Sequence, residues 1–435
     1  MTAGSPTGAR RTASSRRTKA AKVLEKAASS RELSDLKRPF DLIVVGGGPA
    51  GMMAGFLFAR AGCRVLVLEK HKDFFRDFRG DTVHPSTMEI LNELGLLERF
   101  LKRPHSKIER AELMLGGKSW QMADFSKLKT VAPFIAMMPQ WEFLDFLRNV
   151  AESLPTFALE MEAPVAGFLE DQGRVVGVRT ADGQERRAKL TIAADGRASL
   201  VRQMLPVEDL GAPMDVFWFR VPKRPEQRVG IRGNVERGRL LVLIDRGDYW
   251  QCAFLIPKGK AKEYEARGID AIRAEVAAAA PDLDLADLDE IGDLHLLTVK
   301  LDRLMRWSRS GLIAIGDAAH AMSPIGGIGI NLAIQDAVAA ANILAERMAR
   351  GSEVDSLLEK VQQRRMWPTR VIQGAQKAAQ DRVIGRLLDA GPPITQAPLA
   401  VRLLDRFPLL RRIPGRIIGL GVRREHVRSP DAFAS

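Results

Sequence analysis

The sequence predicts an α/β protein in which a mostly parallel sheet of βαβ type is interleaved with an antiparallel-sheet domain and followed by a helical C-terminal region. Three observations carry that reading. The apolar run Leu42 to Val45 breaks at Gly46-Gly47-Gly48-Pro49-Ala50-Gly51 and resumes as an apolar helix, giving a strand, a tight turn and a helix. Two later runs, Leu190 to Ala194 and Gly311 to Ile315, lead into Asp195-Gly196 and Gly316-Asp317 and read as further strands of the same sheet. Between Val216 and Ile256 lie FWFRV, LLVLI and YWQCAFLI, short runs separated by Gly, Asp and Pro, which read as antiparallel strands.

In the opening unit each glycine has its own use. Gly46 allows the turn, Gly48 removes the side chain that would block a pyrophosphate, and Gly51 lets the helix pack closely on the strand. The N–H groups of the helix N-terminus are then free for phosphate. A second strand, Arg64 to Leu68, ends at Glu69, 23 residues after Gly46, where a carboxylate accepts hydrogen bonds from an adenosine ribose. Residues 42–59 carry no charge over 18 positions, the lower limit for a membrane span, but their glycines and Pro49 argue against one.

The remaining chain divides around these strands. Residues 1–36 form a basic tail with too little apolar surface to order itself. Residues 37–110, 136–205 and 301–350 are assigned to the nucleotide domain, 111–135 and 206–300 to the antiparallel domain, and 351–435 to the helical, basic C-terminal region. A polar entry at Arg79-Gly80 precedes a helix bearing Met88, Leu91 and Leu94. Met137 to Gln140 lead into a second helix with Phe143, Phe146 and Leu147 on one face, and Asn331 to Met348 form a third. Phe217, Trp218, Phe219, Trp250 and Phe254 could line an apolar cavity in part, but as aromatics in a sheet most of them are expected in the core. Strand alternation sets Phe217 and Phe219 on one face and Trp218 on the other.

Charge is concentrated at the ends. Residues 1–39 carry ten Lys/Arg against three Asp/Glu and residues 364–428 carry fourteen against four, so of the net +13 all the other residues together contribute −4. Aromatics make up 6% and do not interleave with the basic ends, which argues against a nucleic-acid partner. Cys63 and Cys252 lie in apolar strands and read as buried thiols in a reducing cytoplasm. The six histidines lack ligand spacing, and no metal is expected. From Ala397 to Val427, Leu and Ile pairs alternate with Arg at near-helical spacing, broken by Pro408 and Pro414. Such helices either cap the antiparallel domain or make weak peripheral contact with an anionic membrane.

Taken together, the Gly46–Gly51 fingerprint, Asp195-Gly196 and Gly316-Asp317 resemble the three motifs of the single-component flavoprotein aromatic hydroxylases, the para-hydroxybenzoate hydroxylase-like family, over roughly residues 40–345. The resemblance implies a Rossmann-like FAD-binding domain and assigns residues to it. Gly46, Gly48 and Gly51 would meet the pyrophosphate, and Glu69, with Lys70 beside it, the adenosine ribose. Arg79 and Gln140 match polar FAD contacts. Asp195 and Gly196 match a motif associated with both FAD and NAD(P)H. Gly316 and Asp317 would meet the ribitol or pyrophosphate side, Pro324 belongs to the same loop, and the backbone of Gly329, Ile330 and Asn331 would face the flavin pyrimidine.

The implied reaction takes electrons from NADH or NADPH and oxygen from dioxygen. It hydroxylates or epoxidises a lipophilic aromatic, polyketide or quinone-like substrate through a flavin hydroperoxide. A flavin-dependent halogenase is the nearest alternative, but Tyr249 to Pro257 keeps an Ile-Pro with a single displaced Trp instead of the Trp-x-Trp-x-Ile-Pro of that group. A polyprenoid double-bond reductase is the other. No catalytic acid or base is assigned, and His84 and His320 stand near the motifs as structural or FAD-adjacent residues.

Overall fold

The computed structural model describes residues 39–75, 82–115, 117–227, 230–236, 238–388 and 397–434. The basic tail at 1–36 and Arg79 lie outside them. Six strands build the central sheet: β1 (Phe40–Val45), β2 (Val65–Leu68), β3 (Phe157–Glu160), β4 (Glu185–Ala193), β5 (Ser308–Arg309) and β6 (Leu312–Ala314), in the order β5-β6-β4-β1-β2-β3. All run parallel except β5, which is antiparallel to β6. A hairpin, Val165–Asp171 and Arg174–Thr180, extends the sheet from the start of β4. Both late strands foreseen in the sequence therefore join the sheet of β1. Val65, Leu66, Val67 and Leu68 are all buried, as a parallel strand covered on both faces requires.

Helix α1 (Pro49–Arg60) is buried from Ala50 to Ala59. It lies so close to the sheet that a Cβ on Gly55 would stand 2.7 Å from Val67 Cγ2 and 3.0 Å from the Phe157 ring. Its other sides are covered by α2 (Gln140–Ala151) and α3 (Gly329–Ala349). Helix α4 (Asp355–Ala379) packs behind α3. The long apolar α3 thus has neighbours all round, which explains its lack of a polar face.

The second sheet has seven strands: His295–Leu297, Met214–Pro222, Tyr249–Pro257, Arg239–Asp245, Ile231–Glu236, Arg110–Leu115 and Lys118–Asp124, in that order. One pairing, Ile231–Glu236 with Arg110–Leu115, is parallel. Alternation places Phe217 and Phe219 opposite Trp218, as expected. However, Phe217, Phe219, Trp250 and Phe254 pack under the helix Ile269–Ala279, with Ile272 and Val276, and belong to a closed core. Of the five aromatics only Trp218 is on the other face, with Val216, Ala253 and Leu255. The helix is amphipathic and needs that apolar face, so four of the five aromatics are core, as expected of most, and only Trp218 is left for a cavity.

Helices α5 (Leu399–Arg406) and α6 (Arg412–Leu420) lie against the edge strand Lys118–Asp124. Phe407 is extended ahead of Pro408 and ends α5, whereas Pro414 sits in the first turn of α6 and breaks nothing. Residues 421–434 carry no helix or strand and form a strap across the nucleotide domain. Arg424 pairs with Glu89 at 2.9 and 3.0 Å, Asn342 Oδ1 accepts the N–H groups of Arg428 and Ser429, and Arg60 pairs with Asp431 at 2.9 Å.

The two faces of the second sheet give a direct check. Phe219→Ala removes a fully buried ring and should cost about 3–5 kcal/mol of unfolding free energy, while Trp218→Ala on the part-buried face should cost less. Urea unfolding of the two variants measures the difference.

Candidate active site

The turn after β1 is shaped by contacts at two of its glycines and by their absence at a third. Gly46 has φ +100°, and a Cβ there would stand 2.6 Å from the Ala194 carbonyl oxygen. This brings the ends of β1 and β4 together at the point where strand order reverses, the usual ligand crevice of such a sheet. A Cβ on Gly51 would lie 1.9 Å from the Gly46 carbonyl oxygen, so α1 approaches the turn as closely as backbone allows. At Gly48 a Cβ would meet nothing within 4 Å, and φ is an ordinary −70°. Neither packing nor backbone demands glycine at that place. The space above the turn is open, and the uncapped N-terminus of α1 behind it suits a pyrophosphate.

Glu69 ends β2 with only 8% of its surface exposed. Its carboxylate accepts the Gly47 N–H at 2.8 Å and the His71 N–H at 3.1 Å, tying β2 to the glycine turn. Lys70 beside it is exposed. Gln140 opens α2 half-buried. Asp195, at the end of β4, keeps a buried Oδ1 that accepts no hydrogen bond. Burial pushes its carboxyl above the ordinary range, against the Ser199 hydroxyl and the nearby Lys70, which pull it down. An orphan acceptor beside the Gly46 turn fits a hydroxyl-bearing ligand.

The second and third motifs meet. Arg197, just past Gly196, donates from Nε to Asp317 Oδ2 at 3.1 Å, and Arg202 Nη1 reaches the carbonyl oxygens of Asp317 and Ala318 at 3.2 and 3.3 Å. Asp317 caps no helix. Gly316 has φ +59°, with room between Ala50 of α1 and Ala333 of α3 only for a residue without Cβ, which would stand 3.0 and 3.1 Å from their methyls.

Beneath this loop lies a charged network that sequence reasoning missed. Asp336 of α3 is fully buried and accepts the Gly316 N–H at 3.1 Å and His320 Nε2 at 2.6 Å on one oxygen, and Arg365 Nε at 2.8 Å on the other. Arg365 continues from Nη1 to Glu425 of the strap at 3.3 Å, and Arg364 holds the same carboxylate at 2.8 and 3.1 Å. Burial drives the Asp336 carboxyl up, but His320 and Arg365 outweigh it and hold it below the ordinary range. With Asp336 ionised, His320 Nε2 carries the proton that bridges them. The available signal was Asp336 itself, the sole charge between Gly329 and Ala345.

The glycine-rich turn before α3 is held from the other side. Asn331 Oδ1 accepts the His84 N–H at 2.8 Å and the Thr87 hydroxyl at 2.7 Å, while its amide donates to Thr82 O at 3.1 Å. Thr82 Oγ1 in turn donates to Gly327 O at 2.8 Å. The Asn331 side chain is thus a brace, which holds the backbone of Gly329, Ile330 and Asn331 in place. Pro324 opens the turn half-buried. The N-terminus of the 21-residue α3 presents free N–H groups there and favours negative charge beside it.

Both histidines have structural duties. His84 Nδ1 donates to the Ile418 carbonyl of α6 at 2.7 Å. Burial pushes its pKa down from 6.5 to about 4, only partly offset by that bond. Cys63 and Cys252 are free and buried, with burial pushing the Cys63 thiol up to about 12 and the Cys252 thiol higher.

The FAD binding domain family matches residues 40–375 of this geometry. The chain belongs to that family. A 6-methylpretetramide 4-monooxygenase of Streptomyces rimosus is 32% identical over 392 residues, covering 87% of this chain and 91% of the relative. Rifampicin monooxygenase of Streptomyces venezuelae is 29% identical over 308 residues, covering 68% of this chain and 62% of that protein. The crystal structure of p-nitrophenol 4-monooxygenase from Pseudomonas putida superposes with a TM-score of 0.71 at 20% identity, covering 89% of this chain and 99% of that one. This member of the FAD-binding family is an FAD-dependent oxidoreductase, and its reaction class is monooxygenation.

Two outcomes follow from the geometry. Gly51→Ala should destabilise the apoprotein through its clash with the Gly46 carbonyl, whereas Gly48→Ala should leave apoprotein melting unchanged and lose FAD, read by flavin absorbance after gel filtration. The unfolded chain protonates His84 near 6.5 and the folded chain only near about 4, so stability should fall as pH drops through that window and level off below it. In His84→Gln, whose amide keeps a donor for Ile418, the Tm should fall less across the same window.

Proposed function

We propose that this chain transfers one atom of dioxygen to a lipophilic aromatic, polyketide or quinone-like molecule, hydroxylating or epoxidising it, with NADH or NADPH as reductant. One observation supports the substrate class. The apolar face of the second sheet bearing Val216, Trp218, Ala253 and Leu255 packs in one cluster with Ile325 of the glycine-rich turn. A bulky apolar molecule against that face would lie beside the loop assigned to the flavin ring.

Gly46, Gly48 and Gly51 with the α1 N-terminus would hold the FAD pyrophosphate, Glu69 and Lys70 the adenosine ribose, and Gly316 and Asp317 the ribitol side. Pro324, Gly329, Ile330 and Asn331 would line the ring, and Arg79, Gln140, Asp195 and Gly196 complete the set. Bound FAD supplies the redox chemistry and the activation of oxygen. The chain's own part is positional. Backbone N–H groups at the start of α3 stabilise charge, and the apolar sheet face seats the substrate and keeps water away. The working place is the cytoplasm, with the basic C-terminal region as its peripheral contact with a membrane.

The test is consumption of NADH and NADPH with a panel of phenols, polyketide aromatics and prenylated quinone precursors under labelled dioxygen. Slow oxidation alone, acceleration by a lipophilic member of the panel, and one labelled oxygen in the product are expected. A product that gains halide or hydrogen, or a reduced enzyme that survives in air, overturns the reading.

A further inference from the structure

The C-terminal helices pack well on one side and badly on the other. Toward the protein, a Cβ on Gly415 would stand 2.5 Å from the Asp124 carbonyl oxygen and one on Gly419 2.9 Å from Leu128 Cδ1, so α6 lies flush on the edge of the second sheet. That is the cap foreseen in the sequence. Toward solvent, the same stretch exposes Leu399 by 68%, Phe407 by 51%, Leu409 by 69% and Ile413 by 56%, with Leu403 and Ile417 beside them. Apolar side chains exposed singly need no explanation, but a run of this size on one short segment marks a surface that is covered in use.

The charges on this segment say by what. Its acid, Asp405, is engaged inward, accepting the Gln121 N–H at 3.2 Å and pairing with Arg411. Arg402, Arg406, Arg412 and Arg416 are exposed and form no ion pair among the described residues. A second copy docking by twofold symmetry would set these arginines against their own images. The N-terminal 39 residues carry net +7, the same sign, and are no complement either. Short helices with interleaved Leu, Ile, Phe and Arg match an anionic lipid surface, where the apolar side chains enter the headgroup boundary and the guanidinium groups meet phosphate.

We propose that the outer face of α5 and α6, with Leu409 between them, is a docking surface for an anionic membrane. It holds the edge of the substrate-binding sheet toward the bilayer. The proposal stands apart from the reaction, since docking is read without turnover.

The experiment uses the FAD-loaded full chain with vesicles of phosphatidylcholine alone or mixed with phosphatidylglycerol, read by flotation. Binding to the mixed vesicles at low salt, weaker at high salt and absent from phosphatidylcholine alone, is expected. Each arginine neutralised should lower partitioning about fivefold, and the pair Leu409→Ser with Ile413→Ser should abolish it. These positions are exposed, so flavin content and Tm should match the parent in both variants. The arginine series carries the same test should the serine pair lose its flavin. No binding to phosphatidylglycerol vesicles at low salt overturns the proposal. So does a parent dimer in free solution that the serine pair converts to monomer, which would make the face a contact between copies.

Discussion

The structure depends most on the buried carboxylate of Asp336. It takes the Gly316 N–H from a cofactor loop, the His320 proton from the strand that follows, and the Arg365 guanidinium from α4. A charge buried this deeply is tolerable only when fully hydrogen-bonded, and removing one partner leaves the others exposed to the full cost of desolvation. The consequence is all-or-none geometry for the Gly316-Asp317 loop. It cannot relax by small steps, because each step would unpair a charge in the core.

The other ligand-facing turn is set by a neutral network of the same logic. Asn331 joins the segment 82–87 to the turn at Gly327, and His84 carries the connection to Ile418 of α6. Two separate braces, one ionic and one amide-based, therefore converge on the start of α3. Both run outward to the C-terminal region, through Glu425 and Ile418, so the last part of the chain belongs to the architecture of the site.

Much of this was legible in the sequence because it is written locally. The Gly46 to Gly51 turn, the strands ending at Asp195 and Gly316-Asp317, and the helix with Phe143, Phe146 and Leu147 each announce themselves within a dozen residues. What was not legible depends on partners distant in sequence. Arg365 and Glu425 stand in the sequence only as charges of the basic C-terminal region, and Arg197 only as the residue after Gly196, until the fold sets them against Asp336 and Asp317. The aromatic strands were legible only in part for a related reason. Alternation gives the two faces of a strand but not which face a later helix will cover, and Ile269–Ala279 covered the face with more rings. Pro414 was taken as a break because its position relative to the helix start is invisible until the start is known.

The strap has a consequence for how this chain is made. Arg60, at the end of the first helix, donates to Ser429, 369 positions later, and Arg365 waits 60 positions for Glu425. During synthesis the glycine turn emerges early, yet the Arg365 guanidinium has only Asp336 to pair with until Glu425, 60 positions later, has also left the ribosome. Contacts this distant make folding slow and leave strand edges uncovered meanwhile. The strap therefore closes over helices built long before it, and the first helix stays without its Ser429 partner until then.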